Sequence, residues 1–195
     1  MRILLLPFLA LACAACAGAA SALTDSSIQG AGSGPVCRPA ELRALFRGFQ
    51  AAGGSLTGAV VLVNTGRGEC WLTGTPPTVT LLNEDGDSVP VKSRPVALPA
   101  GARPVELAPG ADLPAFGAPP AKGSAWFLVT WSNWCADAGP SVQSLLVVLP
   151  AGGSVSAPLD AAVPSWGMSG AAAPRCDDGR AGSTITIGRF QAPGG

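Results

Sequence analysis

The sequence predicts an all-β protein, an immunoglobulin-like antiparallel β-sandwich with two disulfides. Three observations lead there. Short runs that alternate apolar and polar residues recur between turn signals, as strands with one dry and one wet side require. Glycine and proline, 26 and 19 of 195 residues, punctuate those runs. Cys37, Cys70, Cys135 and Cys176 are spread widely through the chain, which suits disulfides in an oxidising compartment better than a metal-binding thiol cluster.

In chain order, Met1 to Ala22 comes first and reads as an export signal: Arg2 supplies the positive start, and Ile3 to Ala12 a continuous apolar stretch broken only by Pro7. About ten residues cannot cross a bilayer, which takes about twenty. Two processing routes fit the leader. Ala20-Ser21-Ala22 suits signal peptidase, while Leu9-Ala10-Leu11-Ala12-Cys13 resembles a lipobox, and Cys16 after Ala14-Ala15 is a second candidate for acylation. The Ala/Gly/Ser-rich stretch 17–34 is the composition of a flexible tether. Residues 35–191 then form one domain with a single core, and 192–195 a disordered tail. No later segment is long and apolar enough to hold the chain in a membrane. The expected location is extracytoplasmic, as a membrane lipoprotein or a secreted form.

Strands are expected at Val60–Asn64, Val79–Leu82, Ser88–Val91, Val105–Leu107, Ala125–Ser132, Val142–Leu149, Val155–Leu159 and Thr184–Phe190. Asn83-Glu84-Asp85-Gly86-Asp87 reads as the turn of a hairpin, with glycine where positive φ is needed. Pro90 lacks an amide donor and marks its strand as an edge, and Leu149-Pro150-Ala151-Gly152-Gly153 reads as a turn. Pro39–Gln50 stays open. Leu42, Leu45, Phe46 and Phe49 have the spacing of an amphipathic helix, which periodicity alone predicts; alternatively, Pro39 to Leu42 is one turn and the rest a strand pairing with Leu56–Asn64.

Charge excludes some partners. The chain carries 12 basic and 12 acidic residues, and without Arg2 the balance is 11 against 12. Nucleic acid and anionic membrane surfaces need a basic excess and are not expected as partners. The membrane is reached only through a lipid anchor, and the partner is an unidentified envelope protein or glycan.

Chemistry is excluded too. With no histidine in the chain, Ser-His-Asp and Cys-His activation and His-ligated zinc are ruled out. No enzyme, cofactor or metal site is expected. Asn83 to Asp87 and Asp177-Asp178-Gly179 contain oxygen ligands that could suit Ca²⁺, but Asp, Asn and Gly are the ordinary turn residues and neither stretch has the EF-hand spacing. Lys92 and Lys122 lie in Pro/Gly-rich loops and are expected to be solvated. A carboxylate-only hydrolase would need two of Asp85, Asp87, Glu106, Asp112, Asp137, Asp160, Asp177 and Asp178 in one cleft. Tryptophan is more informative. Along Trp126 to Trp131, period two places Phe127, Val129 and Trp131 on one side and Trp126, Leu128 and Thr130 on the other, so one tryptophan should face outward. Trp71 and Trp134 adjoin cysteines and can pack on disulfides. Trp126, Trp134 and Trp166 are the candidate ligand-binding residues, since an exposed indole can stack on a sugar ring or anchor a partner.

The ordered series Cys37, Leu42, Val61-Leu62-Val63-Asn64-Thr65-Gly66, Cys70-Trp71-Leu72-Thr73-Gly74, Pro76, Val79 to Leu81, Gly86, Leu107-Ala108-Pro109-Gly110, Thr130-Trp131-Ser132-Asn133, Cys135 and Cys176 resembles a domain of unknown function common in actinobacterial lipoproteins and envelope proteins. The resemblance spans most of Cys37 to Phe190. It implies a short Cys-containing turn, a β-sandwich and four cysteines, which favours the strand reading of Leu45–Gln50, and it carries no catalytic residue. Thr57-Gly58-Ala59 stands where many members have aromatic residues. If Leu45–Gln50 and Leu56–Asn64 form a hairpin, its open end brings Cys37 and Cys70 together. Antiparallel pairing of Ala125–Ser132 with Thr184–Phe190 would likewise join Cys135 to Cys176.

Overall fold

The computed structural model of the protein describes residues 34–52, 55–89, 91–97, 103–115, 118, 119, 121, 123–132, 142–161 and 184–194. Apart from one 3-10 turn, Pro39–Glu41, every regular element among them is a strand. These are β1 (Leu42–Ala52), β2 (Ser55–Asn64), β3 (Cys70–Leu72), β4 (Thr78–Leu82), β5 (Lys92–Pro95), β6 (Val105–Leu107), β7 (Ser124–Ser132), β8 (Ser144–Val148), β9 (Ser154–Pro158) and β10 (Thr184–Ile187). They form a five-stranded sheet in the order β1-β2-β7-β10-β5, a pair β3-β6 and a three-stranded sheet β4-β8-β9. The all-β expectation therefore holds.

Proline at the start of the 3-10 turn fits its fixed φ, but Leu42 is already extended and the helical reading of Pro39–Gln50 fails. The cause lies at Gly48. Leu42, Ala44 and Phe46 alternate into the core as strand residues do, and the register with β2 then slips between Phe46 and Phe49. Gly48, at φ 75°, supplies the left-handed conformation of that irregularity. The extra residue turns Phe49 inward as well, so Phe46 and Phe49 meet edge to face at 4.9 Å. Opposite them, Gly58 leaves room: a Cβ there would lie 2.6 Å from the Gly48 carbonyl oxygen and 2.7 Å from the Phe46 ring. A bulged strand thus imitates helical spacing.

Isolated bridges aside, the pairings between the described strands are antiparallel with one exception. β5 runs parallel to β10, with Lys92 opposite Thr184 and Arg94 opposite Thr186, which corrects the expectation of a purely antiparallel fold. The two strands are distant in sequence, and no hairpin turn forces them into opposite directions. This strand falls in a stretch expected to be loop. Ser88 makes only a bridge to Leu82, and Pro90, expected to mark an edge, lies outside the described residues. The Asn83 turn forms as expected: Gly86 has φ 81°, and the Asn83 side-chain oxygen accepts from the amides of Asp85 and Asp87. Leu149 to Gly153 also turns, with Gly152 and Gly153 at positive φ.

Residues from all three sheets form one core cluster, including Phe46, Leu72, Leu81, Leu107, Phe127, Leu145 and Ile185. Phe49 also packs against Trp131, with ring centroids 5.7 Å apart.

Candidate functional site

Two places on the molecule come into question, and the end at which the chain comes in orients both. At that end, the Trp71 amide donates to Pro35 and the Cys37 amide donates to Trp71, so the incoming segment lies along β3. Cys37 and Cys70 are joined in a disulfide with Cα atoms 4.8 Å apart. Asn64, fully buried, organises the same end. Its Nδ2 donates to the carbonyls of Gly68 (2.7 Å) and Leu107 (3.3 Å), and its Oδ1 accepts the Gly66 amide (2.8 Å). Thr65 donates from both its amide and its hydroxyl to the Glu41 carbonyl. The Asn-Thr-Gly series is thus structural: it ties β2 to the 3-10 turn and to β6.

The first candidate is a shallow trough between two sheet edges. β1 and β9 are bridged at Phe46 and Leu159, where the Asp160 amide donates to Phe46. Towards the incoming chain the trough is lined by Leu42, Arg43, Ala44, Ser154, Ser156 and Pro158 among others. No carboxylate lines it, so it offers no acid–base pair. Arg47 closes its other end, bonding Asp160 at 2.5 Å, the Pro114 carbonyl, and the Ala115 carbonyl at 3.1 Å. That arginine straps the segment 111–115 against β1.

The second candidate is the outer side of the five-stranded sheet. As expected, Phe127, Val129 and Trp131 point into the core, while Leu128 is 37% exposed and Trp126 and Thr130 are half-buried. Register extends this side into rows. Ser132, Thr184 and Lys92 are successive partners across β7, β10 and β5, with Ser55 of β2 beside Ser132, and Gln50, Thr57, Thr130, Thr186 and Arg94 form the next row, which begins on β1. The six hydroxyl residues are half-buried, and Gln50, Lys92 and Arg94 are exposed. Ser55 and Ser132 share a hydrogen bond of 3.1 Å, Thr57 and Thr130 one of 3.5 Å. Nearer the incoming chain the same side turns apolar, through Ala59 opposite Leu128 and Val61 opposite Trp126.

Sequence reasoning missed these rows because no strand contributes more than two of their residues. The alternation Thr184-Ile185-Thr186-Ile187 and the spacing of Lys92 and Arg94 were the available signals. Lys92, expected in a loop, begins a strand, although it is exposed as expected. Trp126 is the one candidate tryptophan described, and its backbone pairs with Gln191. Cys13, Cys16, Trp134, Trp166, Cys135, Cys176 and Lys122 lie outside the described residues. The pairing on which the second disulfide was argued does form, with Ser132 opposite Thr184. Among the described residues no group of three or more His, Cys, Asp or Glu could hold a metal, and no helix is long and apolar enough to cross a membrane.

With Cys37, the Asn-Thr-Gly turn and Cys70 in place, comparison with family models decides one point. A domain of unknown function, DUF4232, is found at residues 37–116. No curated protein and no solved structure matches the chain. The DUF4232 match is narrower than the resemblance to Phe190 suggested. It runs from the disulfide through β6 to the strapped segment. β7, which pairs with β2, and β8, which pairs with β4, lie beyond it. The sheets that hold the DUF4232 segment are therefore completed by the rest of the chain.

Proposed function

We propose that this protein is an exported, lipid-anchored module of the cell envelope, of the kind found in actinobacterial lipoproteins, that binds a partner without transforming it. The observation that carries the reading is positional. The tether-like stretch 17–34 leads into the fold at the Cys37–Cys70 disulfide, at one end of the long sheet, so that the opposite end, where Ser55 and Ser132 lie, would point away from an anchor. A disulfide at that junction suits an oxidising compartment, and the leader with Cys13 and Cys16 supplies the route out and the attachment. The three sheets around one core are read as an immunoglobulin-like sandwich, with the five-stranded sheet facing β3-β6 and β4-β8-β9.

The test is metabolic labelling with a fatty acid in a host that exports the chain. Label and membrane association should be lost when one of Cys13 and Cys16 is replaced by alanine and kept when the other is replaced. An unlabelled chain beginning at Leu23 would show the secreted form. An unlabelled cytoplasmic chain with reduced Cys37 and Cys70 would overturn the proposal.

A second reading, glycan binding through tryptophan, is favoured by Trp126, half-buried beside exposed Leu128 on the outer side of the sheet. Trp134 and Trp166 would add to it. Quenching of tryptophan fluorescence by wall glycans supports that reading, and spectra unchanged across a glycan panel count against it.

A further inference from the structure

We infer that the far half of the outer sheet side is a docking surface for an acidic polysaccharide, with Lys92 and Arg94 meeting its carboxylates and the serine and threonine rows its hydroxyls. The inference rests on the envelope-module reading and gives that module's partner a chemistry.

Lys92 and Arg94 end two neighbouring rows, and alternate positions of one strand lie about 7 Å apart. Neither makes a salt bridge among the described residues, and none of the eight carboxylates described there stands in these rows. A surface of hydroxyls lies beside these two cations. Ser55, Thr57, Thr130, Ser132, Thr184 and Thr186 present a hydroxyl grid, and a hydroxyl that spends one bond on a neighbour keeps further donor or acceptor capacity. The row from Gln50 to Arg94 crosses four strand spacings, about 19 Å, which suits an extended polyol chain. A protein partner would want large apolar anchors at the centre of the patch; here the centre is threonine, and the exposed Leu128 lies to one side.

Position selects the polymer over a membrane. β2 runs from Ser55 to Asn64, so the rows lie about 23 to 30 Å along the strand from the end where the chain comes in. An anchored molecule therefore carries its cations away from the lipid. Lysine and proline on an edge strand also discourage pairing with other sheets. Charge reversal separates the two roles, because glutamate guards an edge as well as lysine does.

The experiment is affinity electrophoresis of the purified protein and of the double variant K92E/R94E in gels containing polygalacturonate or neutral dextran. The protein should be retarded by polygalacturonate, less so as salt rises, and not by dextran. K92E/R94E should bind about tenfold more weakly, as expected for two exposed charge contacts, with an unchanged thermal midpoint. T57V/T130V, which keeps shape and removes hydroxyls, should weaken binding while leaving charge intact. Equal retardation of K92E/R94E, equal retardation by dextran, or binding to phosphatidylglycerol vesicles in place of the polymer would overturn the inference. If lipid labelling succeeds while polygalacturonate binding fails, this inference falls and the envelope-module reading stands. An unlabelled cytoplasmic chain removes that reading, whatever the gels show.

Discussion

Replacing Asn64 should uncouple the incoming segment from the sheets. The side chain makes three hydrogen bonds in a fully buried site, two as donor and one as acceptor. At about 1 kcal/mol each, their loss costs about 3 kcal/mol, and it is felt most at the buried Leu107 carbonyl, which gains no replacement partner, while water can reach the exposed Gly68. Asn64→Leu, which fills similar space, separates this loss from a cavity effect and should cost nearly as much as Asn64→Ala. Asn64→Asp keeps the acceptor but points a carboxylate at two carbonyl oxygens, and should cost more at neutral pH. That buried carboxyl is easier to protonate folded than unfolded, so its folded pKa is raised. The variant should be most stable below the ordinary carboxylate range and lose stability as pH rises through it. Urea unfolding followed by tryptophan fluorescence measures all three variants, and Asn64→Ala should lower the thermal midpoint by roughly 6–12 °C. An Asn64→Ala protein within about 0.5 kcal/mol of the parent, the range of a neutral surface change, would refute the structural role given to Asn-Thr-Gly.

Other perturbations test the rest of the frame. Gly58→Ala should destabilise by on the order of 2 kcal/mol, since the new methyl meets the Gly48 carbonyl and the Phe46 ring; unchanged urea unfolding would contradict the bulge geometry. Replacing Cys37 and Cys70 together by alanine removes a cross-link of sequence separation 33, worth about 4 kcal/mol in the chain-entropy model. Without reductant, the variant should unfold with about that much less stability than the parent, and equal stabilities would count against the estimate. Non-reducing peptide mapping should recover Cys135 linked to Cys176, as the pairing of Ser132 with Thr184 leads one to expect, and a free thiol at either position would count against it.

How far the sequence could be read depended on whether the signal was local. The Asn83 turn and the Leu149–Gly153 turn were legible because glycine and asparagine answer a local need for positive φ or a side-chain acceptor. The two sides of β7 were legible because alternation along one strand suffices. Leu42 to Phe49 was misleading on periodicity alone, since only the packing of Gly48 against Gly58 reveals the bulge that reproduces helical spacing. β3 and β5 were missed as strands. Three or four residues carry too little pattern, and their extended form comes from partners distant in sequence, β6 for one and β10 for the other.

By itself, the sequence determined an all-β chain and a histidine-free composition, because each of these is a property of residue type or of a short window. Tertiary structure decided what required distant segments to meet. It joined Cys37 to Cys70, turned β5 parallel to β10, and brought Gln50, Thr57, Thr130, Thr186 and Arg94 from five separate strands into one row. Register across a sheet is fixed by which sides must be buried together, and no window of sequence contains that information.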